Sequence, residues 1–112
     1  MPVFARVHQI LILKHYIEDS FSMVIKKVKV KNEEGLHARP SSVLVKTASQ
    51  FKSDFYIRMY GFKVNGKSIL GVMTLAAECG SEMELLLEGP DEEEAADVIA
   101  KLFDNQFEME SS

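Results

Sequence analysis

The sequence predicts an α+β two-layer sandwich, with four strands and all helices packed on one face. Three observations carry this. Short segments alternate apolar and polar residues with period 2, as half-buried strands do. Other segments place apolar residues on one face at helical spacing. Gly, Pro and Asn punctuate the boundaries, and the resulting order is β-α-β-β-α-β-α.

Each element follows from its residues. Residues 24–31 set Val28 and Val30 between Lys27, Lys29 and Lys31, a strand with a polar face. Asn32, Glu33, Glu34 and Gly35 form a turn. Residues 38–50 read as a helix with Val43, Leu44, Val45 and Ala48 apolar. Pro40 falls in its first turn, where a missing N–H costs nothing. Residues 54–60 alternate Phe55, Ile57 and Met59 with Asp54, Tyr56 and Arg58. Tyr60 and Gly61 turn the chain into a short third strand over 62–64. Ser68 reads as the N-cap of a helix over 69–76, with Ile69, Val72, Met73 and Ala76 on its buried face and Leu70 off it. Gly80 is a turn. Residues 82–88 alternate Met83, Leu85 and Leu87 with Glu82, Glu84, Leu86 and Glu88. Gly89 and Pro90 end that strand. Asp91, with Glu94 three residues on, reads as a capping box. Glu92, Glu93 and Glu94 suit the helix N-terminus, and Ala95, Ala96, Ile99, Leu102 and Phe103 form its buried stripe.

A chain of 112 residues is long enough for one core and too short for two. Residues 23–108 are expected to form the domain and 109–112 a tail. Residues 1–22 read as an upstream extension, with Met23 as a natural start. Their apolar run, Ile10 to Leu13, is too short for a signal peptide and no small-residue cleavage site follows. The functional alternative is a short docking helix for a partner or a membrane surface. No apolar run approaches the roughly 18–20 residues of a spanning helix, so no membrane insertion is expected. One Cys excludes an internal disulfide and points to a reducing compartment, the cytoplasm, with Cys79 a free structural thiol. With 13 Lys+Arg against 17 Asp+Glu, general nucleic-acid binding is not the expected role. The charge is uneven. Residues 24–60 hold eight basic and three acidic residues, and residues 91–112 hold eight acidic and one basic, which suggests a surface for a polarised partner.

Chemistry concentrates at Gly35-Leu36-His37-Ala38-Arg39-Pro40. His37 immediately precedes a helix whose first N–H groups lack acceptors, which makes an anion site. Arg39 adds a planar cation able to bind phosphate oxygens. A neutral imidazole nitrogen is a good nucleophile near pH 7 and a good leaving group from phosphorus. Together they read as a reversible phosphohistidine site. The plain alternative, a capping or surface histidine, is the commoner fate of a lone His before a helix. No second ligand lies at metal-binding spacing, so neither metal nor cofactor is expected.

GLHARPSSVLVKTASQF, followed by VNGKSILGVMTLAAECG, resembles the HPr family, the histidine-containing phosphocarriers of the bacterial phosphoenolpyruvate–sugar phosphotransferase system. The resemblance covers residues 23 to about 108. It implies an open-faced β-sandwich of four antiparallel strands with three helices on one side. It implies that His37 carries the phosphoryl group on Nδ1, taking it from enzyme I and passing it to enzyme IIA, and that Arg39 steadies the phosphoryl oxygens. It matches Ser68 to the serine that HPr kinase/phosphorylase modifies, with a transcriptional regulator as a further partner. Ile69 and Leu70 are candidates for the apolar docking patch, Leu70 standing where the family often has Met. The chain retains His37, unlike the family's His-lacking regulatory variants, and is expected to act as a monomer and as a carrier rather than an enzyme. The stretch GPDEEEAADVIAKLFDNQF is similar to the nitrogen-related regulatory branch as well, whereas KSILGVM favours the sugar branch. A regulatory protein that controls partners through its phosphorylation state is therefore the alternative.

Overall fold

The computed structural model describes residues 23–108. The extension read at 1–22 and the tail at 109–112 lie outside the described residues. The elements follow in the predicted order: β1 (Val24–Lys29), α1 (Ala38–Ala48), β2 (Asp54–Met59), β3 (Phe62–Asn65), α2 (Ile69–Thr74), β4 (Glu82–Glu88) and α3 (Glu92–Asp104). The four strands form one antiparallel sheet in the order β1-β4-β2-β3. Alternation sends Phe55, Ile57 and Met59 of β2 and Met83, Leu85 and Leu87 of β4 to the helical side. There they meet Leu44 and Ala48 of α1, Val72 of α2, and Ala95, Ala96, Ile99 and Phe103 of α3 in one core. Tyr60 and Gly61, both at positive φ (50° and 82°), make the two-residue hairpin between β2 and β3, the geometry that suits the twist of paired strands.

Three expectations are corrected. Leu86, read with the polar set of β4, is only 4% exposed. The register places it between Ile25 of β1 and Tyr56 of β2, and those neighbours cover it on the open face. Lys63 in turn lies over the Tyr56 ring, its Nζ 4.7 Å from the centroid. The next row on that face is charged. Arg58 Nε donates to Glu84 Oε1 at 2.9 Å, and that bond holds the Glu84 carboxyl below its ordinary range.

The second correction concerns α2. It stops at Thr74, and Ala76 at φ 49° already belongs to the following turn. Val72 is its sole buried residue, whereas Ile69, Met73 and Ala76 are exposed. A six-residue helix packed on α1 and β3 has room for one inward side chain, so the predicted four-residue face shrinks to one.

The third is the start of α3. The capping box expected of Asp91 and Glu94 is not formed, because Asp91 makes no side-chain cap bond. Its carboxylate instead accepts from Lys52 N–H and Ser53 N–H, both at 2.9 Å, and from the Ser53 hydroxyl at 2.5 Å. Glu92 reaches back to accept from Gly89 N–H at 3.1 Å. Asp91 therefore ties the α1–β2 loop to α3. The Ser53 hydroxyl, then the Lys52 amide, lower its pKa from 3.8 to about 2. A carboxylate with a depressed folded pKa stabilises fully above its unfolded value and loses that contribution as pH falls through the folded one. Unfolding stability is thus expected to fall between pH 3.8 and about 2, and an acid titration followed by circular dichroism should show a shallower fall in Asp91→Asn.

The uneven charge also resolves. Lys26 pairs with Asp97 at 3.5 Å and Lys31 with Asp104 at 3.1 Å, so part of the basic front half meets the acidic helix of the same chain. These pairs are solvent-exposed and contribute little stability. They do show that the asymmetry is not wholly reserved for a partner.

Candidate functional site

His37 is the N-cap of α1, with φ −77° and ψ −169°. Its carbonyl accepts the first helical bond, from Ser41 N–H at 2.9 Å. Its imidazole is exposed and makes no capping hydrogen bond. Among the described residues the side chain has no hydrogen-bond partner, and it stands at the end of a helix whose leading amides, those of Ala38 and Arg39, lack intrahelical acceptors. An anion placed on the imidazole would meet those amides.

The loop before His37 is held on several sides. Leu36 is buried, and its N–H donates to Ala77 O at 2.8 Å. Ser41 Oγ donates to Leu36 O at 2.8 Å. Asn32 Nδ2 donates to Gly35 O at 2.8 Å, and Gly35 N–H donates to Asn32 O at 3.1 Å. Gly35 has φ 67°, and a Cβ there would lie 2.4 Å from Ala77 O. Only glycine permits both that conformation and that approach. The nucleophile candidate thus stands on a fixed base although it is itself exposed, as pre-organised transfer chemistry requires.

Arg39 makes two contacts. Nη2 donates to Glu34 Oε1 at 2.6 Å, and Nη1 donates to Phe107 O at 3.4 Å. Phe107 sits in a turn after α3 in which Gln106 and Phe107 both adopt positive φ, 61° and 59°. Its ring is fully buried and meets Phe103 edge-on, the centroids 4.9 Å apart at 66°. Glu34 lies in the predicted turn, and its contact with Arg39 is not signalled by the sequence pattern; the buried residues run on past Phe103 to Phe107.

Ser68 is half-buried at the N-cap of α2, where its Oγ accepts from Gly71 N–H at 3.1 Å. Ile69 and Leu70 are 40% and 74% exposed, and Met73, also exposed, extends their patch. The segment is tied to the His37 loop, since α2 packs on α1 and Ala77 just beyond α2 anchors Leu36. Cys79 is exposed, its Sγ 3.6 Å from Lys31 O. Among the described residues no helix is long and apolar enough to cross a membrane.

Comparison with known proteins agrees with this geometry. The family described as "PTS HPr component phosphorylation site" matches residues 24–105. The phosphocarrier protein HPr of Treponema pallidum (strain Nichols) is 51% identical over 88 residues, covering 79% of this chain and all of that protein. The crystal structure of HPr-C-His from Thermoanaerobacter tengcongensis superposes with a TM-score of 0.74 at 40% identity, covering 79% of this chain and 99% of the other. The crystal structure of Crh, the Bacillus subtilis catabolite repression protein described as a domain-swapped dimer, has a TM-score of 0.61 at 41% identity, covering 72% and 93%.

Proposed function

The chain belongs to the HPr family, and from that membership we propose that it is a phosphocarrier taking a phosphoryl group on His37 from enzyme I and passing it to enzyme IIA. The observation that carries this reading is the exposed His37 imidazole at the N-terminus of α1, which makes no capping hydrogen bond. In each transfer the N–P bond of the donor phosphohistidine breaks as the N–P bond to the acceptor forms, and the departing imidazole keeps the electron pair. No further co-reactant is needed. The first-turn amides and Arg39, two residues after His37, are the donors we assign to the phosphoryl oxygens, which suits chemistry that depends on positioning and electrostatics. The exposed Ile69 and Leu70 fit brief docking of enzyme I and enzyme IIA, and the reading is of a carrier acting as a monomer in the cytoplasm.

The test uses the full chain with enzyme I and labelled phosphoenolpyruvate. The expected product is an acid-labile, alkali-stable phosphoprotein whose label maps to His37. Absence of the label, or its location elsewhere, would sink the reading.

A second reading has its own support. Similarity to Crh and the N-cap geometry of Ser68 favour a regulatory role, in which HPr kinase/phosphorylase modifies Ser68 and the product engages a transcriptional regulator. A phosphate there adds about −1.5 to −2 charges beside the Ile69–Leu70 patch while α2 tolerates it. Ser68→Asp is expected to slow phosphorylation by enzyme I roughly tenfold, the low end of electrostatic steering effects. Stopped transfer assays at two salt concentrations check this. An unchanged rate argues against regulation through Ser68.

A further inference from the structure

We propose that Glu34 is a positioning residue for phosphoryl transfer, holding Arg39 while His37 is bare and weakening the carrier's grip once His37 is phosphorylated. The proposal rests on the reading of His37 as phosphoryl acceptor. Glu34 lies in the pinned turn three residues before His37, and its Oε1 accepts from Arg39 Nη2 at 2.6 Å. The other Arg39 contact, to Phe107 O, is long at 3.4 Å. The carboxylate is thus the stronger of the two partners of the cation that the phosphoryl group would need.

Charge counting gives the consequence. With His37 bare, Glu34 and Arg39 neutralise each other. A phosphoryl group of about −2 charge outcompetes a carboxylate for the guanidinium fork. The guanidinium has donors enough for two acceptors, but its single charge cannot neutralise a carboxylate and a dianion together, so Glu34 is left with uncompensated charge. Its presence therefore raises the free energy of the phosphorylated state relative to the bare one. For a carrier this is useful, because a loosely held group is readily passed on. Both side chains are exposed, 60% for Arg39 and 44% for Glu34, so the effect is modest. An exposed ion pair corresponds to roughly a two- to fivefold change in an equilibrium. A purely structural ion pair would alter stability but not the phosphoryl equilibrium.

The test mixes equimolar full-length wild-type and Glu34→Gln chains with catalytic enzyme I and less than one equivalent of phosphoenolpyruvate. Once exchange is complete, native electrophoresis in alkaline buffer separates the four charge states. The Gln variant is expected to hold the phosphoryl group in roughly two- to fivefold excess. Repeated with Arg39→Ala in both chains, the preference should shrink toward one. Equal labelling, or a preference unchanged by Arg39→Ala, overturns this proposal alone. No phosphoryl group on either chain overturns the acceptor reading and the proposal with it.

Discussion

Replacing Arg39 by Ala is expected to slow phosphoryl transfer to His37 by on the order of 10²-fold while leaving the unfolding midpoint nearly unchanged. The two halves of this expectation have different origins. The rate falls because the transferring group spreads charge over three oxygens, and a fixed cation lowers the cost of that charge in the transition state. Removing one preorganised donor of this kind costs roughly 10²–10³ in rate. The lower end applies here because the guanidinium is exposed and water partly replaces it. Stability holds because the lost contacts are a surface ion pair with Glu34 and a long bond to Phe107 O. Single-turnover transfer from phosphorylated enzyme I, paired with urea unfolding, checks both halves. A rate within about twofold of wild type would remove Arg39 from the transfer machinery. Arg39→Lys keeps the charge and loses the planar fork, so partial rescue should separate charge from geometry.

How much of this was legible in the sequence differs by element. The strands and their order follow from period-2 patterns, and β4 is the clearest, with Met83, Leu85 and Leu87 all buried. Leu86 escaped because alternation alone cannot say that two cross-strand neighbours, Ile25 and Tyr56, will close over an outward side chain. Asp91 does stand at the N-cap of α3, as local spacing predicts, but its side chain does not cap the helix. A long-range competitor, the Lys52–Ser53 backbone, takes its carboxylate instead. For the same reason His37 could be placed before a helix while the partners of Arg39 could not be named. Glu34 is near in sequence but has no periodicity, and Phe107 approaches from the far end of the chain.

That distant contact sets the second large expectation. Phe107→Ala is expected to destabilise the fold by about 3–5 kcal/mol, read as a lower urea midpoint with little change in slope. The ring is fully buried in the core and its edge meets Phe103, so truncation leaves a cavity there. The size matters against the whole. A domain of this length has a total stability of roughly 5–10 kcal/mol, so the loss takes at least about a third of it. The aromatic pair should add about 0.5–1.5 kcal/mol of coupling in a double-mutant cycle with Phe103→Ala. There is a local reason for the effect to reach the site. Gln106 and Phe107 both hold positive φ without being glycine, a conformation that costs energy and persists only because surrounding packing enforces it. Phe107 N–H donates to Leu102 O at 2.7 Å, which with the buried ring fastens the turn to α3. Without the ring the turn should relax, and the carbonyl that faces Arg39 should move with it. Below the unfolding midpoint, Phe107→Ala is therefore expected to transfer phosphoryl groups more slowly than wild type, but faster than Arg39→Ala. A variant as slow as Arg39→Ala while still folded would mean that the Phe107 carbonyl, rather than Glu34, fixes the guanidinium.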